Sequence, residues 1–146
     1  MKQYSAKNIR NVALVGHAGA GKTSLAEAAW YLTGQSERLG KVAEGNTVCD
    51  FDPEEIRRKA SVSTAVLPLE WKDTKINLLD TPGLFDFAGG MREGIRAAGS
   101  AVVVISGKSG VTVGAEKGFA AAQKKGIATL FFVNKLDNEN ADFYKV

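Results

Sequence analysis

Gly16-His17-Ala18-Gly19-Ala20-Gly21-Lys22-Thr23-Ser24 stands between an apolar run, Val12-Ala13-Leu14-Val15, and a helical pattern carried by Leu25, Ala28, Ala29 and Leu32. The spacing G-x-x-x-x-G-K-[ST] between a buried strand and a helix N-terminus forms a nest of backbone N–H groups, and the helix dipole favours an anion there. His17, Ala18, Gly19, Ala20, Gly21, Lys22, Thr23 and Ser24 are therefore the candidate phosphate-binding residues. Lys22 is expected to reach the β- and γ-phosphates, and the Thr23 hydroxyl to ligate Mg²⁺. A Gly-rich turn with no ligand would not require Lys-Thr after its last glycine.

Outward from that loop, Ile9 to Val15 reads as the strand that delivers it, and the following helix runs to about Thr33 with Gly34 as its cap. From Gln35 to Lys59 the pattern dissolves into polar and charged residues, and this stretch is expected to be a loop whose order depends on ligand. Val62 to Trp71 is rich in strand formers, with Pro68 placing it at a sheet edge. Lys72-Asp73-Thr74 turns it into Lys75-Ile76-Asn77-Leu78-Leu79, an antiparallel hairpin. A helix follows through Met91, Ile95 and Ala98. Ala101 to Ile105 is apolar throughout, as a strand buried on both faces should be. Val111 to Lys125 fits another helix through Ala115, Phe119 and Ala122, closed by Gly126, and Ile127 to Val133 is a fifth strand. Trp30, Trp71 and Phe131-Phe132 are expected to pack in the core or the hairpin.

Strands alternating with helices imply an α/β fold of three layers with a mostly parallel sheet and one antiparallel edge hairpin. Three chemically loaded segments, after Val15, Leu79 and Val133, then fall at strand C-terminal ends, the edge where open α/β sheets bind ligands.

The 146 residues suit one domain with a real core, and 45% hydrophobic with 24% charged residues is ordinary for a globular chain. A net charge of +3 is too mild to argue nucleic-acid binding by itself. Cys49 is the only cysteine, so an intrachain disulfide is excluded and a reducing, cytoplasmic setting is expected. No stretch approaches the ~20 apolar residues of a membrane span, and Met1 to Lys7 has no signal-like apolar region. No membrane role is expected, and the isolated domain is expected to be a monomer.

Asp80-Thr81-Pro82-Gly83 ends its strand abruptly. Asp80 suits a carboxylate behind a Mg²⁺ ion, and Gly83 lets its own N–H approach a γ-phosphate. Asn134-Lys135-Leu136-Asp137 supplies what a guanine needs. The Asp137 carboxylate accepts from the ring N1–H and the exocyclic amine, which adenine cannot offer in that pattern. Asn134 is expected to hold the loop and reach N7, and the Lys135 stem to cover the ring. Together these motifs choose GTP or GDP over ATP, with Mg²⁺ as the metal.

The motif set, its order and its spacing resemble the N-terminal GTPase domain of translation elongation factor G and its relatives. Asp80-Thr81-Pro82-Gly83-Leu84-Phe85-Asp86-Phe87 is similar to that family's D-T-P-G-H-x-D-F, and His17 after Gly16 matches its phosphate loop. The resemblance covers essentially the whole chain. It implies a GTP-binding domain over residues 1–146, from the N-terminal part of a longer multidomain protein that hydrolyses GTP on the ribosome, with ribosomal RNA as a further contact. The family's fifth motif, a Ser-Ala loop over the guanine, would follow a further strand, so the sheet is expected to lack its last strand.

Three departures bear on chemistry. The family's switch threonine, whose hydroxyl joins the Mg²⁺ shell, aligns with Ser61, eleven residues beyond Asp50. Thr23, Ser61 and Asp80 thus form the candidate metal set. Gly19 stands where many relatives carry Asp. Leu84 stands where relatives carry the His that helps position the attacking water, and a Leu side chain has no donor or acceptor. Lys22, Gly83 and position 84 are the candidate catalytic positions. The intrinsic GTPase rate is expected to be very low, with a nucleotide-binding switch of negligible hydrolysis as the alternative. Arg57-Arg58-Lys59 offers a basic run that either contacts ribosomal RNA, reaches the phosphates or forms a solvated face.

Overall fold

The computed structural model describes residues 2–146. Strand β1 (Ile9–Val15) carries the apolar run, with Ala13, Leu14 and Val15 almost fully buried. Gly21 adopts a left-handed conformation at φ 99°, and α1 (Lys22–Leu32) begins directly after it with no side-chain cap. The first N–H groups of α1 therefore stay available to a ligand. Thr33 closes the helix by donating its hydroxyl to the Ala29 carbonyl at 2.8 Å.

Residues 35–59 depart from the expected loop. They hold a one-turn 3₁₀ helix, Val42–Glu44, and a short helix α2 (Pro53–Arg58). Asp52 and Glu55 form a reciprocal capping box at its start, with Pro53 at the first helical position. The polar composition of this stretch is partly buried: Thr47, Asp50 and Glu55 are inside, as is Cys49.

Strand β2 (Ala65–Trp71) begins later than the sequence pattern suggests, because the Val62 and Ser63 amides donate to the Glu55 carboxylate and not to a neighbouring strand. β2 pairs antiparallel with β3 (Thr74–Asp80) through the two-residue turn Lys72-Asp73, both at positive φ, the geometry that matches strand twist. A one-turn 3₁₀ helix, Phe85–Phe87, leads into α3 (Ala88–Ala97). Strand β4 (Ser100–Ser106), helix α4 (Val113–Lys125) and strand β5 (Ala128–Asn134) complete the chain's main elements.

The sheet order is β2-β3-β1-β4-β5, parallel except for β2, which occupies the edge that Pro68 calls for. On one face Ala13, Val15, Leu79, Val103 and Ile105 meet Ile95 of α3 and Ala115 of α4. On the other, Leu14, Leu67, Leu69 and Leu78 meet Ala26 of α1 and Cys49. Three layers result, with β1 at the centre of the sheet. Trp30 packs against the second cluster, as expected. Trp71, Phe131 and Phe132 do not reach the core: Trp71 is half exposed at the hairpin, and β5 is the opposite edge, with Leu130, Phe131 and Phe132 all partly in solvent. Phe131 contacts Phe119 of α4 at 5.2 Å between ring centres, which places one face of β5 against that helix. Among the described residues no helix is long and apolar enough to cross a membrane.

Candidate functional site

Because β1, β3, β4 and β5 are parallel, their C-terminal ends share one edge, and the segments after Val15, Leu79 and Val133 meet there. The glycine loop wraps that edge. Gly16 (φ 143°), Gly19 (76°) and Gly21 (99°) take conformations that L-residues rarely adopt. A Cβ on Gly16 would overlap the Val104 carbonyl, and one on Gly21 the Asn134 amide.

Lys22 folds back into the loop. Its Nζ is buried and donates to the carbonyls of Gly16 (3.1 Å) and His17 (3.0 Å). Burial pulls its pKa below the ordinary lysine value, and the nearby Asp80 and Asp50 carboxylates oppose that shift. A buried ammonium whose hydrogen bonds go to two neutral carbonyls would gain from phosphate oxygens, which offer charged acceptors. Gly83 docks on the same loop, its carbonyl accepting from the Ala18 N–H at 3.2 Å. A Cβ on Gly83 would lie 2.5 Å from both the Ala18 nitrogen and Lys22 Nζ, so glycine is required there by space.

Beside Lys22 four oxygen-bearing side chains converge. Thr23 Oγ1 donates to Asp80 Oδ2 at 2.7 Å, Ser61 Oγ donates to Asp50 Oδ1 at 2.8 Å, and the two hydroxyl oxygens approach to 3.2 Å. Both hydroxyl protons are already directed at carboxylates, so lone pairs face one another across that gap. The second carboxylate oxygens, Asp80 Oδ1 and Asp50 Oδ2, are buried without a partner. Burial raises the Asp80 pKa to about 7 and moves that of Asp50 upward too. Orphaned oxygens and reluctant carboxylates together fit a hard cation bound through oxygen. Thr23, Ser61 and Asp80 are thus brought together as the sequence led us to expect, and Asp50 joins them. Among the described residues no cluster of three or more His, Cys, Asp or Glu side chains is placed to hold a metal.

On the far side of the loop, Asn134 Nδ2 donates to the Ala20 carbonyl at 3.0 Å, and Asn134 Oδ1 accepts the Lys135 N–H at 2.8 Å. Lys135 sits at φ 59°, reversing the chain so that Lys135 and the exposed Asp137 border a cavity of about 350 Å³. A second cavity, of about 310 Å³, lies over Lys22, Thr23, Ser61 and Asp50. The two share Ala18, Gly19 and Lys135, so a single cleft runs across the glycine loop. Gly83 and the half-buried Leu84 line it at the Lys22 end. Ser24 is exposed at the start of α1. The His17 backbone serves the loop, while its ring turns towards Phe85, 5.8 Å away.

Sequence reasoning missed Asp50 as a member of the oxygen cluster, and it missed Ser106, Lys108, Ser109 and Thr112 along the cavity bordered by Asp137. The last four follow or end β4, so the common sheet edge was the signal available. Arg57 and Arg58 both pair with Glu54 on the solvent face of α2, at 2.7 and 2.5 Å.

A glycine loop with a buried lysine, an oxygen cluster beside it and an N-K-x-D segment across it define a phosphate-loop domain of the guanine-nucleotide kind. The elongation factor Tu GTP binding domain family matches residues 7–146. The chain is 38% identical over 139 residues to elongation factor G 2 of Borreliella burgdorferi, covering 95% of this chain and 21% of that protein. It is 42% identical over 135 residues to the elongation factor G-like protein of Mycobacterium tuberculosis, covering 92% of this chain and 19% of that protein. A crystal structure of a Thermus thermophilus protein superimposes with a TM-score of 0.90 at 44% identity, over 94% of this chain and 21% of that one. The chain belongs to the elongation factor Tu GTP binding domain family. It spans about a fifth of the length of these relatives.

Proposed function

We propose that this domain binds GTP and GDP together with Mg²⁺, and hydrolyses GTP in the service of the ribosome as an elongation factor G-like GTPase. The observation that carries the reading is the Asn134–Ala20 hydrogen bond, which fastens the guanine-type segment to the phosphate loop so that one cleft borders both. Phosphate oxygens replace the Gly16 and His17 carbonyls as partners of Lys22, and the uncapped N-terminus of α1 receives the anion. Thr23 and Ser61 would hold the metal through their hydroxyls, with Asp80 and Asp50 accepting from behind, and Mg²⁺ would supply neutralising charge to the phosphates. Asp137 accepts from guanine N1–H and N2–H, and the Lys135 stem covers the ring. The Gly83 N–H faces the γ-phosphate, so its presence or absence moves the turn that leads into α3.

A second reading follows from Leu84. It lines the phosphate side of the cleft without a polar atom, where a water would have to be held in line with the γ-phosphate. On that reading the domain is a nucleotide-dependent switch that binds GTP or GDP and changes shape but hydrolyses GTP negligibly. Calorimetry with GDP and a non-hydrolysable GTP analogue tests binding. Single-turnover hydrolysis with and without ribosomes separates the two readings: stimulation by ribosomes supports the enzyme, and none supports the switch.

A further inference from the structure

The basic run Arg57-Arg58-Lys59 divides in the structure. Arg57 and Arg58 stay on α2, held by Glu54. Lys59 is different in three respects. It ends α2 in the left-handed region at φ 53°, with its N–H bonded back to Glu55 and Ile56 carbonyls, a position where glycine or asparagine is the unstrained choice. That turn carries Lys59, Ala60 and Ser61 off the solvent face of the helix and into the wall of the phosphate-side cavity. And among the described residues no hydrogen bond or ion pair holds its side chain.

A residue held in an unfavoured conformation beside a ligand cleft points to a role at the ligand. The cavity that Lys59 lines is the one lined by Lys22, Gly83 and Leu84, and Lys59 is two residues from Ser61 in the cation cluster. Lys22 enters that cavity from the glycine loop; Lys59 borders it from the segment that follows α2. We propose that Lys59 is a cation supplied by this chain to the terminal phosphate of GTP, so that its charge favours a triphosphate over a diphosphate. The proposal rests on the GTP-binding reading above. It gives the cleft a positive charge to complement the wall at Leu84, which offers no polar group of its own. A flexible lysine suits this use, because its charge can follow the phosphate.

Calorimetric titration of the 146-residue chain with GDP and with the β,γ-imido analogue of GTP tests this. Lys59→Gln is expected to weaken the analogue about tenfold, the scale of one charge-assisted hydrogen bond, while GDP changes less than about twofold. Lys59→Arg is expected to keep the wild-type ratio. Lys59→Gly, which relieves the left-handed strain and so keeps the fold, is expected to behave like Lys59→Gln. Arg57→Gln, on the solvent face, is expected to leave the ratio unchanged. An unchanged ratio in Lys59→Gln, or equal weakening of both nucleotides, overturns the assignment of Lys59 alone. Failure of the wild-type chain to bind either nucleotide overturns the GTP-binding reading itself.

Discussion

Asp80 and Thr23 show how much a single pair can decide. Asp80 is fully buried at the end of β3, accepts from Thr23, and holds its proton up to about pH 7 against an ordinary 3.8. The folded chain therefore binds more protons than the unfolded chain between those two values, so this group's contribution to stability is complete below about pH 4 and is lost as pH rises through 7. Asp80→Asn mimics the protonated acid. Its stability advantage over wild type is expected to be near zero at about pH 4 and to grow through about pH 8, read by urea unfolding without nucleotide or metal. Across the loop, Asp137→Asn replaces an acceptor with a donor facing guanine N1–H, a mismatch worth about 1–3 kcal/mol. GDP affinity is expected to fall and xanthosine diphosphate to gain relative affinity; unchanged calorimetry for both would remove Asp137 from the base site. Lys22→Ala is expected to abolish nucleotide binding while the protein stays folded, since the hydrogen bonds of Nζ go to carbonyls of the glycine loop and not to the core.

At the scale of elements, the segment between α1 and β2 is held by acids and not by a core of its own. Glu27 of α1, buried beneath it, accepts the Val48 N–H, and Glu55 of α2 accepts the Val62 and Ser63 amides at 2.9 and 3.1 Å. Leu39, Val48, Phe51 and Ile56 stay exposed. A segment with few apolar contacts and two buried carboxylate anchors opens at lower cost than the sheet. Cys49 reports on this opening, because burial pushes its thiol pKa up and keeps it inert while the segment is closed. Glu27→Ala strands the Val48 N–H and is expected to speed iodoacetamide modification of Cys49 about tenfold or more, the scale of a lost charge-assisted hydrogen bond. GTP analogue with Mg²⁺ is expected to slow it, through Ser61. Modification at the same rate in every state would contradict the idea of a switch.

For the whole molecule, α4 sets the position of the glycine loop. Gly114 and Gly118 let this helix lie directly on β1 and the loop: a Cβ on Gly114 would come 2.6 Å from His17 Cα, and one on Gly118 2.9 Å from Val15 Cγ2. Gly114→Ala is expected to cost about 1–3 kcal/mol of stability by overpacking and to weaken GDP binding with it, checked by thermal unfolding and calorimetry on the same preparation. Gly89, at the exposed start of α3, has no atom within 4 Å of a new Cβ, and Gly89→Ala is the neutral comparison. Turnover also belongs to this scale. With Leu84 in the cleft, the isolated domain is expected to hydrolyse GTP barely above background. Brisk hydrolysis by the domain alone, lost in Lys22→Ala, would show that Leu84 does not disable it.

The phosphate loop, the N-K-x-D segment and the alternation of strands and helices were legible in the sequence because each is local. Glycine spacing, a lysine after the last glycine and continuous apolar runs dictate backbone conformation within a few residues. Their meeting at one edge followed from the parallel sheet that the alternation implies. The segment from 35 to 59 was not legible, because its order comes from Glu27 and Glu55, whose partners lie on neighbouring elements and which look like ordinary surface acids in a linear reading. Asp50 was hidden for the same reason. Phe131 and Phe132 depart in the opposite direction: an apolar run promises burial, but burial depends on what lies beside the strand, and among the described residues no strand pairs with the far side of β5. The tertiary structure also decided between the three cations of Arg57-Arg58-Lys59, since the left-handed turn at Lys59 separates one charge from the other two, and no residue type announces that turn when the residue is lysine.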